Sequence, residues 1–113
     1  MSERETYQVV LETPEGARSI ECDRNDFIWN AAAQNGIRLP SICHQGRCLT
    51  CAGRVRSGEF DQSRADTYFP EDRKAGFILL CTAKPRGDLR ILTHQQWEMR
   101  EHRLALKLPA PYS

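Results

Sequence analysis

The stretch CHQGRCLTC runs from Cys43 to Cys51. Three cysteines, Cys43, Cys48 and Cys51, stand within it, with Gly46 and Arg47 between the first two. Four residues separate Cys43 from Cys48 and two separate Cys48 from Cys51. Twenty-nine more lead to Cys81, at the end of the apolar run GFILLC (Gly76–Cys81), and a fifth cysteine, Cys22, lies upstream. The pattern is C-x₄-C-x₂-C plus one distant cysteine. It has three chemical readings: a disulfide framework, a zinc site, or the cradle of an iron–sulfur cluster.

Length and composition narrow the choice. A chain of 113 residues is one domain by size and can build a core without disulfide staples. Sixteen Lys and Arg against fifteen Asp and Glu leave a net charge of +1, which gives no reason to expect nucleic acid or an anionic membrane as partner. The opening MSERETYQVVLETPE has no apolar core of a secretory signal and is too rich in glutamate for a transit peptide. No apolar run approaches the length that spans a bilayer, so no membrane insertion is expected. The chain reads as cytoplasmic. Thiols stay reduced there, and clustered cysteines then point to metal binding or redox work.

Patterning on either side of the cysteines gives an element order. TYQVVLE (Thr6–Glu12) and RSIEC (Arg18–Cys22) flank the turn TPEGA and predict a β-hairpin, with Ile20 and Cys22 on one face. A helix is expected at about residues 26–35, with Asn25 as N-cap and Phe27, Ile28, Ala31 and Ala32 on one face. Gly36 suits the position just past its end, and Pro40 blocks continuation. AGRVRSGEF (Ala52–Phe60) reads as a strand ending in a Ser-Gly turn. Residues Arg64–Lys74 hold a helical turn, Gly76–Cys81 a short apolar strand and Leu89–Thr93 a last strand. The fold class is α+β: a small mixed sheet packed on one main helix, with a long cysteine loop.

The spacing favours a two-iron cluster, because C-x₄-C-x₂-C with a distant fourth cysteine is the plant-type [2Fe–2S] ligand pattern. Four thiolates, two sulfides and two ferric ions sum to a dianion, and one added electron makes it a trianion. Burying such charge is unfavourable unless many donors point inward, and a tight loop can aim successive backbone amides at the sulfurs. Gly46 sits where that loop must turn sharply and approach closely. Zinc is the alternative, but structural zinc sites usually pair two cysteine knuckles, whereas Cys81 stands alone. Cys22 reads as a small apolar residue on the inner face of the hairpin. His44 reads as an exposed loop residue, and His94 and His102 lack ligand spacing.

These residues carry a family likeness. LPSICHQGRCLTCAGRVRSGEFDQS, GFILLCTAKP and ILTH resemble the cluster loop, the fourth-ligand segment and the last strand of plant-type ferredoxins, those of cyanobacteria and chloroplasts. The resemblance covers about residues 7–98 and needs no gap between Asp61 and Cys81. It implies a β-grasp fold and one [2Fe–2S] cluster held by Cys43, Cys48, Cys51 and Cys81, with Gly46 as the loop glycine. It implies a soluble one-electron carrier, not an enzyme, that shuttles electrons between a reductase or photosystem-like donor and an acceptor enzyme. Residues 1–98 form the cluster domain and 99–113 an extension that covers the domain or binds a partner. A monomer is expected.

The sequence also departs from that family. No Asp or Glu occurs from Gly36 to Gly58, while Arg38, Arg47, Arg54 and Arg56 do. The family is typically acidic and docks on basic partners, which arginines near the cluster rim would repel. Thr67 falls where the family usually has an aromatic residue used in electron exchange, with Tyr68 and Phe69 adjacent; Gln96 falls at a docking glutamate. Ile42, Arg47 and Leu49 replace small loop residues that bear hydroxyls. These changes argue against a principal photosynthetic role. They leave open a dedicated partner of an oxygenase or desaturase, or a non-redox regulatory cluster protein. Arg47 is expected to raise the potential above the roughly −400 mV usual for the family. In the tail, Trp97, Arg100, Glu101, Leu104 and Leu108 recur at helical spacing up to Pro109, while Leu104, Leu106 and Leu108 also alternate as in an extended segment.

Overall fold

A computed structural model describes residues 5–40, 49–65, 67–108 and 110. Strands β1 (Thr6–Thr13) and β2 (Gly16–Asp23) form an antiparallel hairpin. Alternation puts Val9, Leu11, Ile20 and Cys22 on the inner face, all buried. Cys22 is 1 % exposed there, the apolar role its position suggested.

Helix α1 (Ile28–Gln34) packs Ile28, Ala31 and Ala32 into the core. It starts later than the sequence suggests, and Asn25 is not its cap. Asn25 instead donates its amide to Asp23 Oδ1 (2.7 Å) in the preceding turn. Phe27 is the N-cap and contributes no side-chain hydrogen bond. The first helical amides are satisfied across the fold, Ile28 N donating to Ala83 O (2.9 Å) and Trp29 N to Leu80 O (3.0 Å). The other end follows expectation. Gly36 takes φ +76°, and the amides of Gly36 and Ile37 donate to Ala33 O and Ala32 O (3.1 and 2.9 Å), a Schellman closure.

β3 (Ala52–Ser57) follows the cysteine loop, then β4 (Phe60–Asp61), α2 (Pro70–Lys74), β5 (Phe77–Leu79), β6 (Lys84–Pro85) and β7 (Leu89–Leu92). The main sheet has the order β2-β1-β7-β3-β5. β1 and β7 run parallel and the other pairs antiparallel, so the sheet is mixed as expected. β4 and β6 pair separately. The chain leaves β3 at Gly58, where φ is +106° and a Cβ would stand 2.2 Å from Asp88 O; only glycine fits there.

The last element, α3 (Gln96–Ala105), crosses the 98/99 boundary drawn from the sequence. Its packed face is not the one that gave the helical spacing. Trp97 and Leu104 are 59 % and 54 % exposed, whereas Met99 and Arg103 are fully buried. Arg103 meets Asp72 of α2, also fully buried, with Nη2 to Oδ2 at 2.8 Å and Nε to Oδ1 at 3.3 Å. Arg103 Nη2 also donates to Thr67 O (3.2 Å), and the guanidinium lies over the Phe69 ring (5.0 Å). Among the described residues no helix is long and apolar enough to cross a membrane.

Candidate metal centre

Cys51 ends a turn into β3, closed by Ala52 N donating to Leu49 O (3.0 Å). Cys81 lies two residues past the end of β5, in the turn that follows it. Ala52 pairs with Leu79 in the sheet, and Leu80 N donates to Cys51 O (3.2 Å). This register brings together two cysteines far apart in sequence. Their Sγ atoms lie 3.1 Å apart, and the residues are 1 % and 4 % exposed. That separation is well beyond the roughly 2.05 Å of a disulfide. It is shorter than the roughly 3.8 Å that two thiolates span on one tetrahedral metal with bonds of about 2.3 Å, so the two sulfurs converge closely enough to share a metal after a small separation.

Two supports hold the Cys81 turn. On one side it receives the first amides of α1 at Leu80 O and Ala83 O. On the other lies Gln62, 4 % exposed. Its Nε2 donates to Leu79 O and Thr82 Oγ1 (both 3.0 Å), and its Oε1 accepts from Leu79 N (2.8 Å). In the sequence Gln62 stands only as part of the stretch that resembles the cluster loop, with no sign of this positioning role.

The chain enters the loop at Leu39, whose carbonyl accepts from Trp29 Nε1 (2.8 Å), and leaves it at Leu49, which is fully buried. Leu49 thus replaces a hydroxyl with an apolar plug beside Cys51. Cys43, His44, Gly46, Arg47 and Cys48 lie outside the described residues, as does Ile42. Among the described residues no third His, Cys, Asp or Glu joins Cys51 and Cys81 in a metal-sized group. Two buried, converging thiols suit a thiophilic metal centre and leave its other positions to the loop.

The remaining candidates fall elsewhere. Cys22 Sγ points to Asp23 O and Asp26 O (3.5 and 3.7 Å), and burial, reinforced by Asp26 and Asp23, pushes its thiol up to about 12. His94 Nδ1 lies 2.7 Å from Thr93 Oγ1. His102 Nε2 lies 3.3 Å from Asp72 Oδ1, and its ring packs on Phe77 (5.1 Å). Tyr68 is tied by its hydroxyl to Phe77 O, and burial raises its phenol. Phe69 sits under Arg103. Neither is a simple stand-in for an exposed aromatic at Thr67. Arg54 and Arg56 face solvent from β3.

Comparison with known proteins agrees with this geometry. The family described as 2Fe-2S iron-sulfur cluster binding domain matches residues 12–86, a span that contains Cys43, Cys48, Cys51 and Cys81. "Ferredoxin-2" of Synechococcus sp. is 40 % identical over 94 residues, 83 % of this chain and 90 % of that protein. "Ferredoxin, heterocyst" of Microchaete diplosiphon is 43 % identical over 93 residues, 80 % of this chain and 94 % of its own. Among solved structures, pectocin M2 superposes with a TM-score of 0.72 at 29 % identity; the match covers 89 % of this chain and 40 % of pectocin M2. The ligand spacing, the mixed sheet on one helix and these matches coincide: the chain belongs to the plant-type [2Fe–2S] ferredoxin family.

Proposed function

We propose that Cys43, Cys48, Cys51 and Cys81 hold one [2Fe–2S] cluster, with Gly46 giving the loop its turn, and that the chain carries one electron at a time between a redox donor of reductase type and an acceptor enzyme. When bound, the cluster supplies a site that stores one electron without breaking a covalent bond. The chain's residues fix the thiolates and exclude water. Leu49, Leu79 and Leu80, near neighbours of the two cysteines in the chain, are buried in the same core. Gln62 and the α1 amides immobilise the turn, so little protein rearrangement accompanies a change of charge. The thiolates are committed to ligation, which supports a carrier and not an enzyme. Thr67 and Gln96, in place of the aromatic and the carboxylate of the family pattern, favour a partner other than a photosynthetic one.

The observation that carries this reading is the buried Cys51–Cys81 sulfur pair at 3.1 Å. We infer that residues 1–98 hold the cluster and that the extension 99–113, which contains most of α3, covers the domain or binds a partner. We read the chain as a cytoplasmic monomer. Anaerobic purification should give a brown protein with iron and inorganic sulfide in equal amounts and, after dithionite, a spin-half EPR signal. A colourless zinc protein, or one free of sulfide, would refute it.

A further inference from the structure

The outer face of the sheet carries a cationic cleft beside the Cys51 turn. Arg54, Val55, Arg56, Leu92 and Gln95 line it, with a volume of about 370 Å³. The charge there is unbalanced. Glu12 is shared by Arg56 (Nε to Oε1, 2.9 Å) and Arg90 (Nε to Oε2, 2.5 Å). Arg90 and Arg56 hold the Glu12 carboxyl below its ordinary range, so it stays ionised. Arg54 donates Nε to Ala75 O (3.1 Å), lies over the Phe77 ring (4.9 Å), and has no carboxylate partner among the described residues. Three guanidinium groups against one carboxylate leave two positive charges at the cleft.

The cleft is wired closely to the sulfur pair. Cys51 immediately precedes β3 and Arg54 is the third residue of that strand, so roughly 10 Å of chain at strand rise separates them. Gln95, which forms one wall, donates its amide to Ala52 O (2.9 Å). Trp97, 59 % exposed, follows two residues later in the chain and offers an aromatic surface to a partner. Across the same face, the β2 edge carries exposed Glu21 and Asp23.

We propose that this cleft is the docking surface for a redox protein partner with a carboxylate-rich face, one Asp or Glu of which enters between Arg54 and Arg56. The inference rests on the electron-carrier reading. Charge complementarity selects the partner. The acidic β2 edge would repel a phosphate backbone laid across the whole sheet, whereas a partner that presents a local acidic patch meets only the basic half.

The test uses the dithionite-reduced holoprotein with two outer-sphere oxidants, anionic tris(oxalato)cobaltate(III) and cationic hexaamminecobalt(III). Each takes one electron from the reduced cluster and becomes cobalt(II); no bond or proton changes on the protein. The wild type should favour the anionic oxidant, and less so as salt rises. Arg54→Glu with Arg56→Glu should cut that rate by about tenfold and speed the cationic one, with Arg54→Gln and Arg56→Gln intermediate. Arg18→Glu with Lys107→Glu makes the same change in net charge elsewhere and should do much less. A fluorescein-labelled hexaglutamate peptide, titrated by anisotropy, should bind wild type and lose affinity by about tenfold in the Arg54/Arg56 reversal. Equal effects from both reversals, or none, would overturn the docking surface. Tighter, Arg54-dependent binding of a duplex oligonucleotide at physiological salt would overturn it in favour of nucleic acid. A sample with no reducible EPR signal would overturn the carrier reading and this one with it, and the signal recorded on the same sample tells the two failures apart.

Discussion

Gln62 places both polar atoms of its amide on the segment that carries Cys81. Gln62→Leu keeps the volume but leaves Leu79 N, Leu79 O and Thr82 Oγ1 without that partner. It should destabilise the fold by about 2–4 kcal/mol, given one to three per buried unsatisfied group, and lower the temperature of cluster loss; a melt followed by visible absorbance measures both. The cysteines separate just as sharply. Cys51→Ser or Cys81→Ser should abolish or strongly alter the EPR signal, because a harder oxygen replaces a thiolate. Cys22→Ser should leave that signal unchanged, since Cys22 packs in the core with a thiol pushed up to about 12. A change in iron content in Cys22→Ser would contradict that assignment. Arg47 lies outside the described residues, and its expected effect rests on charge alone. Arg47→Gln should make the potential more negative by tens of mV, as a titrated midpoint would show.

At the scale of elements, α3 packs Met99 and the Arg103–Asp72 pair against the domain, all three residues fully buried. Arg103→Met leaves the Asp72 carboxylate buried without its countercharge and should cost about 3–5 kcal/mol in chemical denaturation. Adding Asp72→Leu should recover much of that loss, because the desolvation penalty disappears with the charge. Deleting residues 100–113 removes Arg103 and should destabilise to a similar degree, while oxidation of the reduced cluster by small cobalt complexes stays close to wild type. A truncated protein as stable as the full chain would show that α3 does not brace α2. Helix α1 makes the complementary point. Its N-terminus needs no side-chain cap, because the Cys81 turn supplies carbonyl acceptors. The helix and the metal centre therefore stabilise one another.

Over the whole molecule, the parts legible in the sequence are those fixed by local order. Strand alternation, the glycine closure of α1 and the mixed sheet followed from periodicity and turn chemistry. The hairpin emerged with Ile20 and Cys22 on one inner face as read, and the structure adds Val9 and Leu11 of β1 to that face at the same spacing of two. The [2Fe–2S] cofactor also followed, because the kind and spacing of thiolates restrict which metal centre can form, while the β-grasp class came from the family resemblance. What stayed hidden depended on partners distant in the chain. Helical spacing in the tail showed a helix but not its packed face, because the buried residue is a charged Arg103 whose countercharge lies on another helix. Gln62 finds its partners at Leu79 and Thr82, distant in the chain, and the cleft between Arg54 and Arg56 forms where β3 and β7 meet the start of α3. The sequence by itself thus determined the cofactor and the strand pattern, since residue identity and near-neighbour spacing are enough for both. Tertiary structure alone decided which polar groups are satisfied by one another and where positive charge collects, because hydrogen bonds and ion pairs of this kind depend on distances that folding creates.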